Sequence, residues 1–369
     1  MRMGFDAKRA FLNATGLGNY SRSLIGNLAR FFPEEEYHLF TPRTGNPPLF
    51  SDARMPVHLP GNWPGALWRS FGVASAARKA GIKLYHGLSH ELPLGLRRAG
   101  IRQVVTMHDV IFRRYPGLYP LADRLIYDAK WRYACQQADV VVAVSEATRQ
   151  DLLNYYPVTP EKIQVIYQCC DDIFRLPPDP PAEKKVLARH QIPVEYLLYV
   201  GSLTERKNLL LLFQALQLLP EKDRLPVVVA GKGKAYGEKV QHWLRVQGME
   251  KWALFRPDIP FADLPALYRH AQICVYPSHY EGFGIPVLEA LTCGVPVITS
   301  ATSSLPEAGG PGAAYISPGK PEELARHIHL ILSDSLLREK MISQGKIHAE
   351  RFAPEPLTRQ LMNLYRSLL

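Results

Sequence analysis

At 369 residues, with 47% apolar and 21% charged side chains, the chain is too long for one hydrophobic core and too apolar for a disordered or fibrous protein, so two folded domains are expected. Its net charge of +10 is unevenly shared: residues 1–175 carry 22 Lys and Arg against 15 Asp and Glu, the remainder 22 against 19. That excess suits anionic partners as a class, whether nucleic acid, acidic lipid or phosphorylated metabolites, and selects none of them.

The opening Met1-Arg-Met-Gly-Phe-Asp6 lacks the apolar core of a secretory signal. No segment approaches the roughly 18 apolar residues that would span a bilayer, so a cytoplasmic protein is expected. Short runs rich in β-branched residues alternate with longer amphipathic ones, as in parallel α/β units. Thr15-Gly-Leu-Gly-Asn-Tyr-Ser-Arg-Ser-Leu24 reads as a glycine turn entering an amphipathic helix, or as a loop that a phosphate approaches through Gly16 and Gly18. Strands are predicted at Tyr37 to Thr41, Gln103 to Met107, Asp139 to Val144 and Ile163 to Tyr167. Trp63, Trp68 and Phe71 lie near Arg69, Arg78, Lys79 and Lys83, with Leu94, Leu96, Arg97, Arg98 and Arg102 following. They form either a helix packed on the sheet with solvated cations or a basic amphipathic face for anionic lipid. Tyr85-His-Gly-Leu-Ser-His-Glu-Leu-Pro93 reads as one strand exit, offering His86 or Glu91 to a ligand. Val104-Val-Thr-Met-His-Asp109 reads as another, ending at His108.

In Leu176-Pro-Pro-Asp-Pro-Pro-Ala-Glu183 the periodicity stops, and four prolines in five positions speak against a helix or a central strand. The domain boundary is placed there, giving domains 1–175 and 176–355, each doubly wound and meeting at a cleft. A last helix over residues 356–369, apolar at Leu357, Leu361, Leu364 and Leu368, is expected to cross back to the first domain. Strands are predicted in the second half at Tyr196 to Gly201, Pro226 to Ala230, Ile273 to Tyr276 and Val295 to Thr299. Five scattered cysteines, Cys135, Cys169, Cys170, Cys274 and Cys293, have neither metal spacing nor a disulfide framework and read as buried thiols.

Val200-Gly-Ser-Leu-Thr-Glu-Arg-Lys-Asn-Leu209 follows a strand and places Arg206 and Lys207 where cations are disfavoured unless an anion is near. A planar guanidinium fork and an ammonium together suit a diphosphate. Ser278-His-Tyr-Glu-Gly-Phe-Gly-Ile-Pro-Val-Leu-Glu-Ala290 leads from a strand through the loop Glu281, Gly282, Phe283, Gly284, Ile285 into a helix opened by Pro286 and closed by Gly294. Free loop amides and the positive end of that helix make an anion-binding geometry. Glu289, read into the first turn, either accepts from a ribose diol or answers the helix dipole. Glu281 either accepts from a second polyol or is a solvated loop acid.

The run Ser-x-x-Glu-Gly-Phe-Gly-Ile-Pro-x-Leu-Glu-Ala, followed by Gly294-Val-Pro-Val-Ile-Thr-Ser300, resembles the C-terminal signature of glycosyltransferase family 4, retaining enzymes of GT-B fold. The resemblance runs from about Gly16 to the C-terminus. It implies two Rossmann-like domains facing each other across a cleft, with Glu281 on the donor sugar, Glu289 on the nucleotide ribose and the loop amides between them. It implies further that Arg206 and Lys207 hold the diphosphate, that His108 contacts donor sugar or acceptor, and that the ligand offered to Glu91 or His86 is the acceptor. Gly16 and Gly18 match the family's N-terminal glycine loop, and Phe255-Arg-Pro-Asp-Ile-Pro260 the segment beside the nucleobase. Ser202 stands where many members have arginine, and Pro257 where they have glycine.

The implied reaction moves a hexose from a nucleoside diphosphate sugar to a glycan or lipid-linked acceptor, with no cofactor and, since no Asp-x-Asp motif occurs, no metal. Thr106-Met-His-Asp-Val-Ile-Phe112 with Arg114-Tyr-Pro is similar to stretches of the family's mannosyltransferases and points to GDP-mannose. The competing readings are a nucleotide-sugar epimerase or hydrolase of the same fold, and a basic protein resting on anionic membrane. Nucleic acid is not an expected partner, because no recognition motif accompanies the charge.

Overall fold

The β-branched runs fold as parallel strands in two separate sheets. The computed structural model describes residues 1–46 and 49–369, which divide into one unit of residues 1–168 with 354–369 and a second of residues 169–353.

In the first unit, β1 (Arg2–Asp6), β2 (Glu36–Phe40), β3 (Val57–His58), β4 (Leu84–Gly87), β5 (Arg102–Met107), β6 (Val140–Ala143) and β7 (Ile163–Val165) line up in the order β3-β2-β1-β4-β5-β6-β7. Side chains alternate between two buried faces. Met3, Phe5, Leu39, Val104 and Val142 pack on one, and Phe40, Tyr85, Val105 and Val141 on the other. Burial on both faces is why these strands read as near-continuous apolar runs. Because the chain works outward in both directions from β1 and β4, their C-terminal ends part at a switch point, where ligands enter open α/β sheets.

The second unit repeats the plan with β8 (Leu197–Val200), β9 (Val227–Ala230), β10 (Ala253–Phe255), β11 (Ile273–Tyr276), β12 (Val297–Ser300) and β13 (Ala313–Ile316), ordered β10-β9-β8-β11-β12-β13. Its switch point lies between β8 and β11, which pair Ile273 with Leu197 and Cys274 with Leu198.

Two sequence expectations are displaced. The second unit begins before the proline run, because Phe174 is buried against Phe261 and Tyr268, with ring centroids 5.5 and 5.8 Å away. The prolines open a helix instead of excluding one. Pro180–Arg189 starts with them at positions whose N–H groups have no intrahelical partner, and the Asp179 carboxylate accepts from Ala182 N–H at 3.1 Å.

The helix Pro354–Ser367 belongs to the first unit, where Leu361, Met362, Leu364 and Tyr365 join the core around Met3 and Phe5. The basic amphipathic face, one of two readings of residues 63–102, is broken up. Trp68 and Leu96 are buried, and Arg69 is paired with Asp6 and Glu91, while Trp63 and Phe71 stay exposed. Among the described residues no helix is long and apolar enough to cross a membrane. All five cysteines are free thiols, buried or half-buried.

Candidate active site

At the second sheet's switch point, the segment after β8 and the segment after β11 meet through charge. Arg206 and Lys207 sit in a 3-10 turn, Glu205–Lys207, which ends at Asn208 in a left-handed conformation (φ 55°) just before the helix Leu209–Leu218. The Asn208 amide donates to the Pro277 and Pro318 carbonyls at 3.3 and 2.7 Å, so the turn is pinned to the segment leaving β11.

Arg206 reaches Glu281 Oε2 at 2.6 Å. Oε1 of the same carboxylate accepts from Lys207 (3.1 Å), Tyr276 (2.9 Å) and Ser278 (2.8 Å). Arg206 also donates to the Tyr280 carbonyl, and the Lys207 ammonium bonds the Tyr276 hydroxyl while lying 4.7 Å from that ring's centre. Burial alone would raise the Glu281 pKa, but Lys207 and Arg206 outweigh it and hold the carboxyl at about 2. Burial lowers that of Lys207. Glu281 is therefore no solvated loop acid: it is an ionised carboxylate anchoring two cations.

Glu289 is placed differently from its sequence reading. The helix begins at Ile285, so Glu289 falls in its second turn, past the dipole's short reach. It is buried, accepts from the Tyr268 hydroxyl at 2.8 Å, and burial pushes its pKa up to about 8. Within one motif, then, one acid is held charged and the other held neutral near pH 7.

Between them, Gly284 adopts φ 131°, and a Cβ there would press on Leu305 and Ala308 at 3.1 and 3.2 Å. Phe283 does not face the loop's outer side. It is buried on Phe352, centroids 5.4 Å apart, and so anchors the loop in the core. Gly282 and the half-buried Ile285 complete the turn into the helix. Sequence reasoning missed the segment after β12, because its role depends on tertiary contacts. The Glu281 N–H donates to Ser303 Oγ (2.9 Å), and Ser304 Oγ donates to the Glu281 and Phe283 carbonyls (2.9 and 2.7 Å). The segment expected beside a nucleobase follows β10, where Arg256 Nε donates to the His190 carbonyl at 2.7 Å.

In the first unit, Gly16 opens the helix Gly16–Phe31 on the surface, and a Cβ there would meet nothing within 4 Å. Gly18 is buried, and a Cβ there would fall 1.7 Å from the Asn13 carbonyl oxygen, so close packing alone requires glycine. His108 follows β5. Its Nε2 lies 2.9 Å from the Leu88 carbonyl and its Nδ1 2.9 Å from the Gln168 amide nitrogen, which assigns the proton to Nε2. Burial lowers its pKa to about 4, and the Tyr20 ring meets it edge-on at 4.6 Å. His86 does not face a ligand. It is fully buried between Thr106 Oγ1 (2.8 Å) and the Tyr365 hydroxyl (2.5 Å). Glu91 stays half-buried beside Arg69 and Lys130.

Two doubly wound parallel sheets, the second with cations, acids and a glycine-opened helix at its switch point, define a ligand-binding α/β protein of two Rossmann-like units. Residues 15–172 match the glycosyltransferase family 4 model, and residues 185–348 the model of glycosyl transferases group 1. The O-antigen chain mannosyltransferase B of Escherichia coli is 34% identical over 290 residues, covering 77% of this chain and 74% of that protein. The chain therefore belongs to glycosyltransferase family 4. It is also 28% identical over 228 residues to the serotype-specific mannosyltransferase WbdA of Escherichia coli, covering 59% of this chain and 27% of that protein. Anabaena Alr3699/HepE in complex with UDP-glucose superposes with a TM-score of 0.79 over 100% of both chains at 19% identity.

Proposed function

We propose that this glycosyltransferase moves mannose from GDP-mannose to a hydroxyl of a glycan or lipid-linked acceptor, with retention at the anomeric carbon. The observation that carries the reading is the Glu281 carboxylate, largely enclosed, ionised and bound to Arg206 and Lys207 beside a helix N-terminus. A diphosphate seated on that terminus meets the amides of the Gly282–Ile285 loop and both cations, which offset the charge that grows as the sugar–phosphate bond breaks. Glu281 accepts hydrogen bonds from hydroxyls of the donor sugar, and Glu289, protonated near neutral pH, exchanges them with the ribose diol. The mannosyl choice rests on the similarity to an O-antigen chain mannosyltransferase. The use of a nucleoside diphosphate sugar has further support in the fold shared with HepE bound to UDP-glucose.

Retention is taken from the family resemblance, and the residues fit a route to it without a covalent intermediate. Both Glu281 oxygens are occupied by donors and its low pKa makes it a poor nucleophile, so it forms no glycosyl intermediate. His108 carries its proton on the nitrogen that faces Leu88, and Gln168 occupies the other, so it is not the base, and the contact to donor sugar or acceptor that the resemblance implies requires one of these partners to yield. The acceptor oxygen attacks the anomeric carbon on the face the phosphate leaves, and its proton passes to the departing phosphate oxygen.

The test is Glu281→Ala: turnover should vanish while GDP still binds, and unchanged turnover refutes the role. Thermal unfolding with GDP-mannose, UDP-glucose and UDP-galactose ranks the donors, since a ligand that binds the native state raises the midpoint. GDP-mannose should give the largest rise. Donor consumed without acceptor would favour an epimerase or hydrolase.

A further inference from the structure

Among the described residues four besides glycine hold a left-handed backbone: His90, Gln191, Asn208 and Ser303. Two of them, Asn208 and Ser303, adjoin the cluster of Arg206, Lys207 and Glu281. Asparagine enters that region at little cost, whereas serine at φ 52° is strained. A strained residue persists where the surrounding structure imposes it, and such residues gather at functional sites.

The hydroxyls around Ser303 show what the turn achieves. Thr302 Oγ1 donates to the His279 carbonyl at 2.9 Å, Ser303 Oγ accepts from the Glu281 N–H at 2.9 Å, and Ser304 Oγ donates to the Glu281 and Phe283 carbonyls at 2.9 and 2.7 Å. Successive side chains of extended backbone face opposite ways, so three in a row meet one loop only where the chain turns between them.

Ser303 acts on a single peptide plane. The plane joining Tyr280 to Glu281 has its carbonyl held by Arg206 and its N–H by Ser303, and the carbonyl of Glu281 itself is held by Ser304. The Cα of Glu281 is thereby fixed from both sides before its carboxylate meets the two cations. Without the Ser303 hydroxyl, Arg206 alone restrains that plane, and the carboxylate stays charged but loses its aim.

We propose that Ser303 is a positioning residue for glycosyl transfer, keeping a strained backbone so that its hydroxyl orients Glu281 toward the donor sugar. It touches no reacting atom. The proposal rests on the reading in which Glu281 meets that sugar. Its signature is an opposition: the substitution that relaxes the backbone is the one that harms the site.

Titration calorimetry of the full chain with GDP and with GDP-mannose tests it, beside thermal unfolding of the same samples. Ser303→Ala and Ser303→Gly both remove the hydroxyl, and glycine also releases the strain. Each should weaken GDP-mannose about tenfold while GDP stays within about twofold. Ser303→Gly should nonetheless melt about 2 to 4 °C above Ser303→Ala. Ser303→Thr keeps the hydroxyl on a β-branched residue that this φ suits worse, so it should melt below the wild type yet bind GDP-mannose within about threefold of it. GDP-mannose bound as tightly by Ser303→Gly as by the wild type would overturn the role, and so would GDP and GDP-mannose weakened together in step with the midpoint. A wild type that binds UDP-glucose in place of GDP-mannose removes the mannosyl donor alone, and Ser303 is then judged by UDP-glucose against UDP. Binding of neither sugar nucleotide overturns both.

Discussion

The second sheet's switch point gathers full charges, with the ionised Glu281 between Arg206 and Lys207, all largely buried. At the corresponding edge of the first sheet the paired charges of Asp6, Arg69 and Glu91 are joined by uncharged histidines: burial lowers the pKa of His86, in β4, to about 3 and of His108, after β5, to about 4, and that of His90 falls with them. One topology thus yields two kinds of polar edge. On the proposed reaction the contrast has a reason: a departing diphosphate needs fixed counter-charge, whereas a sugar hydroxyl needs neutral groups in set orientations.

The sharpest way to break the comparison is Lys207→Met. It leaves Glu281 buried with one cation, and should cost about 3 to 5 kcal/mol in urea unfolding. A loss within experimental error would mean the charges on the second sheet are energetically idle. The pH dependence separates the edges further. The folded pKa of Glu289 lies above its ordinary 4.5, so its stabilising contribution is complete below pH 4.5 and is lost as pH rises toward about 8. Glu289→Gln should remove that fall. His108 has the opposite sign, since its folded pKa is depressed: its contribution is present above pH 6.5 and is lost as pH falls toward about 4. Hydrogen exchange, corrected for intrinsic rate, should therefore show residues 1–168 loosening first in mild acid.

Smaller effects sharpen the picture of the first unit. Gly18→Ala must move the Asn13 carbonyl and should lose about 1 to 3 kcal/mol, whereas Gly16→Ala, facing open space, should stay within about 0.5 kcal/mol. If Gly16→Ala instead weakens donor binding at unchanged stability, the N-terminal loop touches the ligand. Tyr365→Phe leaves a buried His86 nitrogen unserved and should cost about 1 to 2 kcal/mol by thermal unfolding.

Strand periodicity made most of both sheets legible; Arg206 and Lys207 read as following one strand and Glu281 and Glu289 as following another, and the family resemblance joined them into one site. β1 was missed because Arg2–Asp6 begins and ends on charges, and β13 because its short run follows the glycine-rich Gly309-Gly310-Pro-Gly312. The prolines at 180 and 181 misled because a rule for helix interiors does not hold at a first turn. What pattern could not show was depth. Nothing local tells that Phe283 is buried, that Glu289 answers Tyr268, or that Ser303 and Ser304 hold the glycine loop, since each depends on residues far along the chain.

The return of residues 354–369 to the first unit has a consequence for biosynthesis. The second unit is one uninterrupted segment and is free to form as soon as it clears the ribosome. The first lacks Leu361, Met362 and Tyr365 until translation has passed the whole of the second, so its early-made half waits longest for its last core side chains. Until then the core face around Met3 and Phe5 lacks its last cover, the kind of apolar surface that invites aggregation.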